Sequence, residues 1–468
     1  MIEKVIFWGT GKIAEQYEKV INDTMIQIVA YIDNNPEKWG NVRNNVPIIC
    51  PEEMTAYTNV PILIACIDEE SVSNQIKEIS DEHPIVSYDA LLHQIFIGNS
   101  ISIQKNTTNN REIHRVIIDN LWGRWGGAED WCHKVGDELS KRLWDVKIVE
   151  SNSCDVTAID NQIILKLDLD ENIFVRHKQL VELLEEMRPF VYVDVWGADM
   201  LWAASLVKIK HPNDVVIISS ILNDVPKIYN ARKEWGKYID AFLAISSRIA
   251  NNLINNCIIP KEKIFRKEPF VEGYFKKERT YSIENECQLQ ICFPCRLVKK
   301  QKRADLIPEI LMGLSEKIGN NFVFNIVGNG EYESCIQEFV LKNKLQHLVR
   351  FWGKIDKSAL VDMFYEQDIY LNISDYEGTS LTMLEALGAG CVPVVTNVSG
   401  VEDFIVDREN GLISEIGNTN QIVDNLVYLE QNRKLLPKYG QKSSAIIESK
   451  CQIDKYIDYF EGMIWQVL

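Results

Sequence analysis

The chain has 468 residues, 46% of them hydrophobic and 25% charged, which fits a globular protein of two to four domains at roughly 100–200 residues each. A net charge of −17 argues against nucleic acid as the main partner, because phosphate binding needs concentrated Lys and Arg, and leaves room only for a local basic patch at a membrane surface. No apolar run approaches the roughly 18 residues that span a bilayer, and MIEKVIFWGT runs from a strand-like stretch straight into glycines, so a cytoplasmic location is expected, with any membrane contact peripheral and at the inner face.

The first segment, residues 1–105, opens with the strand KVIFW, followed by GTGKIA and a helix-like stretch; a second strand, IQIVAYID, ends at Asp33. A third apolar run, VPILIAC, completes an alternation that predicts a small parallel α/β unit. Gly9, Gly11 and Ala14 form G-x-G-x-x-A directly after the first strand, a pattern that makes a tight turn and aims helix N–H groups at a phosphate. Asp33 is placed to accept from a ribose hydroxyl. The glycines serve equally well to make the turn alone. YIDNNPEKWG and VPIICPEEM resemble the small N-terminal Rossmann-like domain of bacterial sugar acyltransferases, which implies a nucleotide-sugar as a ligand. With 15 Asp and Glu against 7 Lys and Arg, the segment is a poor membrane or nucleic-acid anchor. GNSISIQKNTTNN, residues 98–110, reads as a linker.

The second segment, residues 111–273, has the strand HRVIIDNLW leading into GRWGGAEDWCHKVGDELSKRL, a glycine turn followed by a helix. FVYVDVW, DVVIISSIL and DAFLAIS continue a β-α-β pattern. Trp122, Trp125, Trp196 and Trp202 lie near predicted strand ends, where they serve either core packing or stacking on an acceptor sugar or lipid. Arg124, between two of them, is a candidate phosphate contact.

In the third segment, residues 274–450, the strands LQICFPCRLV, NFVFNIVGNG, VRFWG, DIYLNIS and CVPVVTN alternate with helical stretches, which describes a doubly wound parallel sheet. Residues 451–468 form a terminal helix expected to pack back on the second domain. Two such sheets in tandem leave a cleft between them. Eleven scattered cysteines suit a reducing compartment. Cys292 and Cys295 make a CxxC, but no second pair completes a zinc site, so both are expected to be buried strand residues.

The chemistry concentrates in NISDYEGTSLTMLEALGAGCVPVVTNVSGVEDF. After DIYLNIS comes a polar loop, and a helix is predicted from about Ser380 to Gly390, with Thr379 and Ser380 as good N-cap types. The N–H groups of Thr379, Ser380 and Leu381 would form an anion site. Glu377 precedes the helix, and Glu385 lies roughly 7–8 Å along its axis from Ser380. Two carboxylates flanking an anion site match a nucleotide-sugar, with its sugar hydroxyls, diphosphate and ribose hydroxyls. Glutamates eight apart also arise by chance; the strand–loop–helix context gives the pair its weight.

The E-x7-E element, G-A-G-C-V-P-V-V and the S-G-V-E-D…N-G run resemble the retaining GT-B glycosyltransferases of family 4. The likeness covers about residue 113 to the end. It implies an α/β fold with two Rossmann-like domains facing a cleft, preceded here by the small extra domain. It implies hexosyl transfer from a nucleotide-sugar, UDP-linked, to a glycan or lipid-linked glycan with retention of configuration, as in bacterial surface polysaccharide synthesis. Residue by residue, Glu377 with Gly378 would contact the donor sugar and Glu385 the ribose. Arg296 and Lys302, in CRLVKKQKRAD, would hold the diphosphate, with Lys300 a competitor for Lys302 because the usual spacing is one shorter. Gly353, Lys354 and Ile355 would border the base, and Gly126 and Gly127 would let the N-terminal half approach the phosphates. Such cations and helix N–H groups can replace a metal as the clamp on developing charge, so no cofactor and no metal are expected. Asp168-Leu169-Asp170 is a D-x-D, the metal signature of the other major glycosyltransferase fold, and is read as chance.

The pattern breaks on the acceptor side. Where many family members carry a His, VVIISSILNDV offers Asn223 and Asp224, and Asp224 is either a catalytic base or acceptor or a helix cap. The family's N-G-V-D is replaced by RKEPFVEGYF. Two further readings stand beside transfer: a nucleotide-sugar-binding or regulatory protein with a degenerate site, and a nicotinamide-dependent sugar-nucleotide enzyme.

Overall fold

The computed structural model describes residues 2–21, 26–66, 68–80, 82–86, 88, 91, 113–121, 127–151, 162–165, 173–196, 199–271, 279–284 and 287–468. They form three sheets. The first holds β1 (Lys4–Trp8), β2 (Gln27–Ile32), β3 (Val42–Arg43), β4 (Val46–Ile49), β5 (Ile62–Ile64) and β6 (Ile85–Val86) in the order β3-β4-β2-β1-β5-β6. All its pairings are parallel except the short β3–β4 hairpin. Helices Lys12–Ile21 and Glu69–Ile79 connect it. Gly9 sits at φ +119°, and a Cβ there would stand 2.5 Å from the Ala65 carbonyl oxygen, so both the backbone conformation and the packing of the turn out of β1 require glycine.

The second sheet runs β13-β12-β11-β10-β7-β8-β9, all parallel, from β7 (Arg115–Asp119), β8 (Asp145–Ser151), β9 (Gln162–Leu165), β10 (Phe190–Asp194), β11 (Val215–Ile221), β12 (Ala241–Ala244) and β13 (Ile264–Arg266). The third runs β16-β15-β14-β17-β18-β19, also parallel, from β14 (Leu289–Pro294), β15 (Phe322–Val327), β16 (Val349–Gly353), β17 (Ile369–Asn372), β18 (Val392–Thr396) and β19 (Leu412–Ser414). The central strands are buried on both faces, which is why each is a near-continuous apolar run. This is the GT-B arrangement with an additional Rossmann-like domain in front.

Buried residues run without a break from Val5, Phe7 and Leu63 of the first sheet to Tyr192, Trp202 and Phe242 of the second, so the first domain is packed on its neighbour. The last helix, Ile453–Val467, leaves the third domain and returns to the second. Its Tyr456, Ile457, Phe460 and Ile464 join Val116, Ile118 and Trp131 in one core, each buried side chain contributing about 1.5–3 kcal/mol. Trp131 Nε1 donates to the Tyr456 hydroxyl at 2.8 Å, and Glu461 accepts from Arg142 and Trp144 at 2.9 and 3.0 Å.

Candidate active site

Strand order reverses between β14 and β17 in the third sheet and between β7 and β10 in the second. Ligands of open parallel sheets bind at such switch points, beyond the C-terminal strand ends. Here the two switch points face each other across a cavity of about 450 Å³. The second domain contributes Gly127, Trp131, Trp196, Leu222 and Asn223; the third contributes Arg296, Gln301, Lys302, Tyr370, Ser374 and the run Glu377 to Thr382.

Glu377 is the most heavily held group in the cavity. Lys302 Nζ lies 2.5 Å from its Oε1, the Ser374 hydroxyl donates to the same oxygen at 2.8 Å, and Gln301 Nε2 reaches Oε2 at 3.4 Å. The loop that delivers Lys302 is strained: Gln301 and Arg303 both have positive φ, +78° and +52°. Such conformations cost about 1–2 kcal/mol per non-glycine residue and persist where surroundings hold them. The holding contacts are Arg303 Nη1 to Asp375 at 2.9 Å and Asp375 N to the Gln301 carbonyl at 2.8 Å. Helix Leu381–Gly388 starts beside Glu377, capped by the Ser380 hydroxyl, which accepts from Met383 N at 3.3 Å. Its first N–H groups, at Leu381 and Thr382, belong to residues lining the cavity.

The two halves meet at backbone distance. Gly378 forms an isolated antiparallel bridge with Asn223, and a Cβ on Gly378 would stand 2.1 Å from the Leu222 carbonyl oxygen. Gly127 comes near a side chain instead: its Cβ would lie 3.0 Å from Leu381 Cδ1. Thr379 Oγ1 donates to the Ile245 carbonyl at 3.2 Å, and the Ser246 and Ser399 hydroxyls are 2.7 Å apart. Asp403 accepts from Ser247 N at 2.8 Å, and Glu402 accepts from Arg248 N at 3.0 Å.

The structure therefore brings together Glu377, Gly378, Thr379, Ser380, Leu381, Arg296, Lys302 and Gly127 around one space. Lys302, not Lys300, lines it. Glu385, Gly353, Lys354 and Ile355 lie outside that lining. Glu385 is buried, and burial raises its carboxyl above the ordinary range while Lys357, 3.2 Å away, opposes the rise. The same ammonium reaches Asp130 of the second domain at 2.7 Å. Gly353 ends β16 at φ +62°, and its carbonyl accepts from Gly328 N at 2.7 Å.

Of the alternatives open for Asp224, its contacts fit a structural acceptor. Its carboxylate accepts from the Tyr229 hydroxyl at 2.6 Å and Asn252 Nδ2 at 3.0 Å, and it is not among the cavity residues. It is not a helix cap either, since Val225 holds that position before helix Pro226–Trp235. Asn223 lines the cavity, its Oδ1 accepting from Asp224 N at 2.9 Å, and Asp224 does not line it. Asp33 is likewise occupied: Lys38 Nζ is 2.8 Å from it and Thr10 donates to it. Burial opposes, but those bonds hold its carboxyl below the ordinary range. Gly11, by contrast, has open space around it. Cys292 is buried in β14 as expected, whereas Cys295 stands just past that strand, half-buried in the cavity wall; burial raises both thiols, Cys295 to about 12. Trp202 is core, stacked on His177, whereas Trp196 lines the cavity. Gly126, Trp122, Arg124, Trp125, Asp168 and Asp170 lie outside the described residues.

Several contributors went unread in the sequence. Ser374 and Gln301 hold Glu377, and Trp131 forms part of the wall. Gly328 and Gly330 pack on the backbone of Cys295 and Leu297, where a Cβ would stand 2.0 and 2.5 Å from the carbonyl oxygens. The GNG ending of the β15 run was the available signal for them.

The fold is that of a GT-B glycosyltransferase. Residues 275–445 match the family described as Glycosyl transferases group 1, and residues 1–86 match the family C2185-like, N-terminal. The chain is 22% identical over 271 residues to N-acetyl-alpha-D-glucosaminyl L-malate synthase of Bacillus anthracis, covering 56% of this chain and 68% of that one. In structure it is similar to the lipopolysaccharide outer core galactosyltransferase WaaB, with a TM-score of 0.61 and 20% identity over 76% of this chain and 99% of the other. It is also similar to HepE of Anabaena in complex with UDP-glucose, with a TM-score of 0.60 and 11% identity over 75% and 99%. The chain is accordingly an enzyme of the hexosyl-transferring type. Among the described residues no helix is long and apolar enough to cross a membrane.

Proposed function

We propose that the enzyme moves a hexosyl group from a UDP-sugar to a glycan or lipid-linked glycan, with retention of configuration and without a metal in the chemical step. The observation that carries this reading is the Lys302–Glu377 ion pair at the start of helix Leu381–Gly388, inside a cavity shared by both halves. Breaking the sugar–phosphate bond leaves extra negative charge on the diphosphate. Arg296, Lys302 and the helix N–H groups stand where they can meet it. Lys302 has three N–H donors and spends one on Glu377, which leaves two for phosphate oxygens. Glu377, fixed by Ser374 and Gln301, takes the sugar hydroxyls and supports positive charge at the anomeric carbon. Glu385 and the Gly353 to Ile355 turn serve the ribose and base. Asn223 takes the position near the anomeric centre, contributing a hydrogen bond rather than a base.

The complex of HepE with UDP-glucose and the name of WaaB support a UDP donor and a glycolipid acceptor by likeness of fold. Removing one preorganised donor of this kind typically costs about 100- to 1000-fold in rate. Arg296→Ala should show that loss, and Glu377→Ala, which removes an acceptor for the sugar hydroxyls, should also lower turnover, both while melting close to the unmodified enzyme. NMR of the product anomer should show the configuration of the donor. Full turnover in either folded variant sinks the site assignment; an inverted product sinks retention alone.

A further inference from the structure

A second cluster in the same domain plays no part in the site above. Helix Gly127–Lys141 carries Glu129 and His133 four residues apart, on one face, and Glu150 stands on the adjacent β8. His133 Nε2 lies 2.9 Å from Glu150 Oε1, and ligand-capable atoms of Glu129, His133 and Glu150 all fall within 4.8 Å of one another. Both carboxylates are deeply buried, with relative exposures of 5% and 1%. Among the described residues neither meets a Lys or Arg, and Glu129 Oε2 has no hydrogen-bond partner.

Asn120 adds an independent observation. It is fully buried just past β7 and donates Nδ2 to Glu150 Oε1 at 2.6 Å, while its Oδ1 has no partner among the described residues. Buried oxygens without donors among the described residues, beside two buried carboxyls, are costly unless a donor or a cation meets them.

We propose that Glu129, His133 and Glu150 bind one first-row divalent metal ion of the zinc type, with Asn120 orienting Glu150. One imidazole and two carboxylates suit such an ion, and a solvent molecule would complete four-coordination. An ion 2.0–2.2 Å from each ligand atom spaces those atoms about 3.3–3.6 Å apart. The His133–Glu150 pair needs to open by a few tenths of an ångström for this, and Glu129 to close by a small rotation about its side-chain bonds. The consequence is mechanical. The same helix presents Gly127, Ala128 and Trp131 to the cavity, so the ion fixes the wall that approaches Leu381 without touching the reacting atoms.

The test uses the full chain, stripped by dialysis against a chelator and titrated calorimetrically with zinc chloride. His133→Gln and Asn120→Ala are titrated in parallel, and the metal retained after desalting is measured by mass spectrometry. One equivalent should bind the unmodified protein. Affinity should fall at least about tenfold in Asn120→Ala, the usual cost of losing a ligand's orienting partner, and further in His133→Gln. Zinc should raise the melting temperature of the unmodified protein and not that of His133→Gln. Should His133→Gln fail to fold, Glu129→Gln gives the same reading, because that side chain has an oxygen with no partner to lose. Equal stoichiometry and affinity in variant and parent would mean adventitious binding at other His and Cys and would overturn the proposal, as would no binding at all.

Discussion

Replacing Gly378 by Ala asks how closely the two halves must meet. The added Cβ would stand 2.1 Å from the Leu222 carbonyl oxygen, 2.6 Å from its carbonyl carbon and 2.9 Å from Asn223 Cα. All three are backbone atoms, so no rotamer change relieves the clash. Ordinary contact begins at 3.4 Å, so the halves must part locally by about 1 Å. A misplacement of about 1 Å costs on the order of 100-fold in rate, equivalent to about 2.7 kcal/mol of barrier. Stability should change far less, because each half keeps its own core. The assay is initial-rate donor consumption, with UDP binding followed by calorimetry and melting by circular dichroism. Turnover should fall about 100-fold, the value from that misplacement, while UDP affinity and melting temperature stay near those of the parent. Unchanged turnover in a folded Gly378→Ala would refute the idea that this backbone approach is needed for reaction.

Lys302→Ala should lower turnover by about 100- to 1000-fold, whereas Lys300→Ala, outside the cavity, should lower it little; rate measurements on the pair distinguish the two lysines. Asp119 is buried beside Asp194, and burial first, then that neighbour, raises its carboxyl from 3.8 to about 7. Between those values the folded chain holds a proton that the unfolded chain has lost, so stability falls as pH rises through that window. Denaturant unfolding of Asp119→Asn should therefore show a flatter decline from pH 4 to 8, by up to about 4 kcal/mol; a decline equal to the parent's would show that Asp119 does not titrate there. A chelator should leave the chemical step intact and shift at most the donor KM through the Glu129–His133–Glu150 cluster. Loss of kcat restored by manganese, and still seen in His133→Gln, would instead place a metal on the diphosphate.

The third domain is the most legible part of the chain. LQICFPCRLV, NFVFNIVGNG and CVPVVTN are parallel strands buried on both faces, and such strands write themselves as apolar runs. β8 escapes that signal because Asp145, Lys147 and Glu150 interrupt it, and β13 and β19 escape it because three-residue strands paired on one side leave little pattern. Helix Leu381–Gly388 is readable from its Ser380 cap, and Gly390, at φ +82°, closes it where the glycine signal stands. The convergence of Lys302 on Glu377 is legible only through the family resemblance and not from the residues themselves, since 75 residues separate them and a loop with two positive-φ residues sets the approach. Asn223 and Asp224 show the limit of one-dimensional reading: Asn223 lines the cavity and Asp224 does not, and the contact at that point, the bridge from Asn223 to Gly378, joins distant parts of the chain. Asp33 shows another, because its best acceptor geometry is consumed by Lys38, five residues on.

The most direct measurement is a panel of nucleotide-sugars, titrated for binding and followed for donor consumption with and without a glycan-lipid acceptor, on the unmodified enzyme and on Arg296→Ala. A diphosphate seated between Arg296, Lys302 and the start of helix Leu381–Gly388 predicts that one UDP-sugar binds and is turned over, and that Arg296→Ala loses about 100-fold or more of that turnover. Binding without turnover for every donor, or equal turnover in Arg296→Ala, would contradict a transferase centre in this cleft.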